Sequence, residues 1–129
     1  MSTELLYLTL SAGLTLILWI PYILARIGSQ GMGDAMGYPE NPPPPPAWAK
    51  RSERVHLNMV ENLAPFAALV LVAHVLDISS GMTVLGAALF FWGRVAHAVV
   101  FTLGIPYLRT LAFFVSWVGM VLIFIALVF

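Results

Sequence analysis

"RSERVHLNMVENLAPF", residues 51–66, sets five polar side chains, Arg51, Arg54, Asn58, Glu61 and Asn62, at the mouth of a long apolar run. Hydrocarbon rejects such groups unless they are paired or face a cavity. A charged residue at the centre of a membrane helix costs about 2.5–3.5 kcal/mol on insertion scales. Each residue of an α-helix turns about 100°. From Arg54, Asn58 therefore lies about 40° round the helix and Glu61 about 20° the other way. The three form one polar stripe, with Arg51 about 60° to its side. His56 falls on the opposite flank. Pro65 has no N–H for the carbonyl of Glu61, which predicts a kink just beyond the acid.

The surroundings of this stretch are apolar. Of 129 residues, 60% are hydrophobic and 9% charged, against about 25% charged in a soluble domain. Mean hydropathy is +0.93. This composition belongs in a bilayer. Four stretches reach the roughly 20 apolar residues a span requires: Leu5–Leu24, Arg54–Asp77, Met82–Phe101 and Leu111–Phe129. With their flanks they predict helices over 5–26, 52–77, 82–103 and 107–129, a loop over 28–50, and one domain over 1–129. Helices are expected over strands because a helix satisfies its own backbone in lipid. The predicted fold class is an all-α membrane protein, a four-helix bundle. The start "MSTELLYLTL" lacks the basic region of a secretory signal, so the first span is read as retained.

The links differ in kind. In the first, Gly-rich sequence precedes Pro42–Pro46, which favours a stiff polyproline II spacer and also matches an SH3-type ligand. Asp77–Met82 and Leu103–Tyr107 are short turns between antiparallel helices. Arg26, Lys50, Arg51 and Arg54 flank the first link and Arg109 follows the third, while the second has no Lys or Arg. The positive-inside rule then places the first and third links in the cytoplasm and both termini outside. The formal charge is zero, which points to no nucleic-acid partner, and the absence of cysteine excludes disulfides and a protein thiol nucleophile. No metal-ligand spacing, phosphate-binding loop or Ser-His-Asp pattern appears.

A second polar stripe lies on the third span, where Arg94 and His97 are followed by Phe101. Glu61 and Arg94 sit on helices joined by a short turn, which predicts an ion pair between them. Unpaired, they would line a polar cavity. Arg109 opens the fourth span beside Tyr107; alone it reads as a snorkelling anchor. Together with Arg26, Arg54 and Arg94 it forms a cationic cluster on one membrane side. Such a cluster suits a small anion carrying carboxylates or a thiolate, with Glu61 and Asn58 left for its ammonium and amide groups.

These residues resemble a known family. "RVHLNMVENLAPF" (54–66) is similar to the R-A-x-x-N-x-x-E-x-x-x-x-F signature of the membrane-associated proteins in eicosanoid and glutathione metabolism, the MAPEG family. "GRVAHAVVF" (93–101) resembles the third-helix motif of its prostaglandin E synthase branch, and "IPYLRT" (105–110) stands where the family has its fourth-helix arginine. The resemblance implies a homotrimer of four-helix bundles that binds glutathione between subunits near the cytoplasmic side. It implies conjugation of glutathione to lipophilic electrophiles, reduction of lipid hydroperoxides, or isomerisation of lipid endoperoxides. The matching positions are Arg54, Asn58 and Glu61, then His97, then Arg109, which by analogy stabilises the glutathione thiolate. Arg26 matches an arginine supplied across the interface, and Arg94 and Tyr107 are counted with these among the glutathione-binding residues. Phe101, Phe113 and Phe114 stand where the eicosanoid enzymes have tyrosines. Short, bare loops resemble a bacterial member, in an inner membrane with periplasmic termini. Three readings follow: a glutathione-dependent transferase or peroxidase, a non-catalytic protein of the same fold that binds a lipid or small anion, and a purely structural bundle.

Overall fold

The computed structural model describes all 129 residues and is entirely helical. Its elements are α1 (Thr3–Ile17), α2 (Ile20–Gln30), α3 (Met32–Met36), α4 (Ala47–Val75), α5 (Gly81–Thr102) and α6 (Leu108–Val128). Four units are long and apolar enough to cross a membrane: α1 with α2, α4, α5 and α6. The chain is thus an all-helical integral membrane protein.

The break in these helices falls in an unexpected place. α4 runs unbroken through Pro65, whereas the first span divides at Leu18–Trp19. Pro21 accounts for this, because its ring displaces the carbonyl of Ile17 and it has no N–H to bond there. Ile17 is the last residue of α1. The predicted loop is also shorter than residues 28–50. α2 continues to Gln30, α3 adds a turn, and α4 begins at Ala47 behind Pro46, whose φ of −61° and ψ of 155° are those of polyproline II.

The helices are held by shape. In lipid there is little hydrophobic gain from bringing helices together, so close packing carries the association. α5 and α6 form the most extensive pair. At their crossing a Cβ on Gly86 would stand 2.5 Å from the carbonyl oxygen of Gly119, and one on Gly93 would stand 2.9 Å from the amide nitrogen of Ser116. Only glycine permits that approach. α4 joins through Phe66, which stacks on Phe90 with ring centroids 3.9 Å apart, and through Met59 and Val70. Only 21 of 129 residues are buried, so most of the apolar side chains face outward, as a bilayer or a neighbouring subunit requires.

The first span is tied down by a charge. Glu4 is buried, and its Oε1 accepts from Ser79 Oγ at 2.7 Å and from Thr83 Oγ1 at 2.6 Å. Ser80 and Thr83 form the capping box that opens α5. One carboxylate therefore joins the start of α1 to the start of α5. At the other end Arg51 Nε donates to the carbonyl of Thr102 at 3.1 Å and joins α4 to the end of α5.

Candidate functional site

The polar stripe of α4 meets that of α5 halfway along the bundle. Arg94 is 1% exposed, and its Nη1 donates to Oδ1 of Asn58. Its Nε and Nη2 have no hydrogen-bond partner. The guanidinium lies instead against two aromatic faces, with Cζ 5.5 Å from the centre of Phe90 and 5.0 Å from that of Phe113. Aromatic faces attract cations through their quadrupole, most strongly where water is excluded. The expected Glu61–Arg94 ion pair is not formed. Glu61 lies on the exposed side of α4, while Arg94 is buried behind it and turned toward Asn58. Asn58 is braced in turn by Asn62, whose Nδ2 donates to its carbonyl at 2.9 Å.

One hollow opens beside Asn58 and a second adjoins it. One, of about 150 Å³, is lined by Arg54, Leu57, Asn58, Glu61 and Phe101. The other, of about 260 Å³, is lined by Arg51, Phe101, Gly104, Ile105, Pro106 and Arg109. Phe101 is the wall between them. Arg109 is exposed and leans on that wall, with Cζ 5.1 Å from the ring centre. His97 is 4% exposed and packs on Phe101 and Phe113, at centroid distances of 5.3 and 6.3 Å.

The sequence-predicted residues therefore fall into three groups. Arg54, Asn58, Glu61 and Arg109 line adjoining hollows. Arg94 and His97 lie buried behind them and reach the hollows through Asn58 and Phe101. Arg26 is apart. It lines a separate hollow of about 520 Å³ with Tyr22, Glu53, Asp34 and the proline run, so within one chain it does not meet Arg109. Tyr107 is 83% exposed and precedes α6 at φ +66°.

Some of the arrangement escapes sequence reasoning. His56 shares a hydrogen bond of 2.8 Å with the Tyr22 hydroxyl, a contact across 34 residues that no local spacing signals. Arg51, read as peripheral to the stripe, turns instead onto the α5–α6 turn. Glu4, buried against Ser79 and Thr83, is likewise bound to partners 75 and 79 residues away.

Chemically, the hollows offer guanidinium donors, one carboxylate acceptor and a carboxamide. No curated protein and no solved structure matches the chain. The family model of MAPEG matches residues 5–129, essentially the whole sequence, and the chain belongs to the MAPEG family.

Proposed function

We propose that this protein binds glutathione and conjugates it, through its sulfur, to lipophilic electrophiles or uses it to reduce lipid hydroperoxides. The observation that carries the reading is the pair of adjoining hollows, which set Glu61 and Asn58 on one side of Phe101 and Arg109 on the other. MAPEG members include glutathione transferases and peroxidases. A free thiol has a pKa of about 8.5, and its thiolate is the nucleophile. The Arg109 guanidinium favours the ionised sulfur. Arg54, Asn58 and Glu61 hold the peptide, Arg94 fixes Asn58 from behind, and His97 backs the Phe101 wall. In the transfer, the thiolate sulfur forms a bond to an electrophilic carbon and the leaving group departs with its electron pair. The acceptor enters from the membrane along the exposed apolar faces of the helices.

The reading extends to assembly and placement. Three copies pack so that Arg26 and Tyr107 of one chain approach the hollows of the next. The basic links lie in the cytoplasm and both termini lie in the periplasm of a bacterial inner membrane. The fit of Arg26 to an interface role rests on its distance from Arg109 within the chain.

A second reading, a non-catalytic binder of a lipid or small anion, is favoured by one observation. Phe101 and Phe113 present ring faces to Arg109 and Arg94, where a phenolic hydroxyl could have donated to sulfur. Glutathione titration of the purified protein in detergent separates the two. The transferase reading expects a thiolate absorbance band that disappears in Arg109→Ala, together with conjugation of an aromatic electrophile. Binding without turnover supports the second reading, and no binding at all, with Glu61→Gln mainly lowering stability, supports a purely structural bundle.

A further inference from the structure

We infer that the hydrogen bond between Tyr22 and His56 is a positioning latch, which sets the tilt of α2 on α4 and thereby the place where Arg26 meets glutathione in the neighbouring subunit. This role rests on the glutathione and assembly reading above. It brings in two residues, Tyr22 and His56, that lie outside the polar stripes and line neither hollow of the site.

α2 is loosely held. It buries no residue within the chain. It joins α1 at the break made by Pro21, where Leu18 (φ −68°, ψ −17°) and Trp19 (φ −75°, ψ −21°) keep helical angles. The direction of the helix is thus preserved while a backbone hydrogen bond is lost, and such a joint bends more readily than an unbroken helix. Beyond the joint α2 packs chiefly on α4 and α3. One side-chain hydrogen bond ties it to another element, the 2.8 Å contact between the Tyr22 hydroxyl and Nδ1 of His56. Ser29, by contrast, donates back to its own helix at Ala25. Past the latch the two helices are separated by the hollow of about 520 Å³ that Arg26, Asp34 and Glu53 line. The α4 side of the latch is fixed, because Val55, the neighbour of His56, is 2% exposed.

The latch lies between the joint and the arginine. Tyr22 and Arg26 are four residues apart, one turn along the same face of α2. Arg26 stands seven residues beyond Trp19, which is about 10 Å along the helix axis. A tilt of about 10° at the joint therefore displaces it by about 2 Å. The whole window of N–H···O distances is only about 0.5 Å wide, so a displacement of that size breaks a contact with a ligand. Holding Tyr22 to His56 removes this freedom one turn before the residue that needs to be placed.

The test is calorimetric binding of glutathione to full-length protein in uncharged detergent, with the unfolding midpoint measured on the same samples. Arg26→Gln is expected to weaken binding by about tenfold, the size of one charge-assisted contact. Tyr22→Phe keeps the ring and loses only the hydroxyl. It is expected to weaken binding by about threefold to tenfold, the population shift that one hydrogen bond can hold. The double variant is expected to bind no more weakly than Arg26→Gln alone, because an unlatched α2 then has no arginine left to misplace. His56→Leu is expected to match Tyr22→Phe, and His56→Asn, whose amide stands near the place of Nδ1, to bind as wild type does. Wild-type affinity in Tyr22→Phe, or losses that multiply in the double variant, overturn the latch. If Tyr22→Phe does not fold, the His56 pair decides, and equal affinity of His56→Leu and His56→Asn overturns it. Wild-type affinity in Arg26→Gln refutes the cross-subunit role of Arg26, and wild type that binds no glutathione refutes the glutathione reading; the latch falls with either.

Discussion

Asn58 is the only hydrogen-bond partner of the buried Arg94 guanidinium, across two helices and 36 residues of sequence. The arginine gives up water for one amide oxygen and two aromatic faces. Its other two nitrogens are left without acceptors. The pair is thus a dependency: α5 keeps a charge inside the bundle only while α4 supplies Asn58.

Asn58→Ala is therefore expected to lower stability by about 1.5–3 kcal/mol, the value of a hydrogen bond to a charged group. The double variant Asn58→Ala with Arg94→Met is expected to recover most of it, because an apolar chain of similar length has nothing to leave unpaired. Thermal unfolding of the single and double variants in detergent measures the difference. Equal losses in both would show that the cost of removing Asn58 does not come from leaving Arg94 unpaired.

Gly86→Ala and Gly119→Ala test the α5–α6 crossing. The added methyl would collide with a backbone carbonyl oxygen of the facing helix, that of Gly119 for the first and that of Gly86 for the second. Neither carbonyl can rotate away, so the helices must separate. Each substitution is expected to cost at least about 1–3 kcal/mol, the range for overpacked cores. Gly13→Ala is the control, since a Cβ there meets nothing within 4 Å. It is expected to leave the unfolding midpoint unchanged or slightly raised.

Tyr107 should respond in the opposite direction. Its φ of +66° and ψ of −51° are unfavourable for a residue with a Cβ, and its side chain is exposed. Tyr107→Gly is expected to stabilise the protein by about 1 kcal/mol by removing that strain. If the phenol also touches ligand from a neighbouring subunit, the same variant loses glutathione affinity while gaining stability. Midpoint and affinity, measured on one sample, separate these effects.

Glu4→Gln removes a charge from two short hydrogen bonds without changing the shape of the side chain. A loss of about 1.5–3 kcal/mol is expected. Proteolysis should report it as easier cleavage between residues 77 and 81, because Ser79 and Thr83 lose their shared acceptor. Unaltered cleavage there would mean that the capping box alone holds the turn.

The membrane spans are legible because their signal is additive. Twenty apolar residues in a row outweigh any single exception, so Pro65 and Arg94 do not obscure them. The break in the first span was less visible. Pro21 and Pro65 look alike in sequence, yet only Pro21 interrupts a helix, since α4 is packed on both sides of its proline by Phe66 and Met59. The polar stripes were legible as stripes, because helical spacing alone sets them. Their pairing was not. Spacing along α4 and α5 cannot say whether Arg94 turns to Glu61 or to Asn58; burial decides that, and burial depends on how the helices cross. Arg51 shows the same limit, since its partner is a backbone carbonyl, which no side-chain pattern reveals.

The carboxylate of Glu4 has one further implication, for biosynthesis. Its acceptor atom meets hydroxyls 75 and 79 residues later in the chain. As the ribosome delivers the first span, that acid has no partner, and it stays at the aqueous edge until the third span has been inserted. The opening hydrophobic segment can be threaded early, but it is latched only after most of the polypeptide has left the exit tunnel.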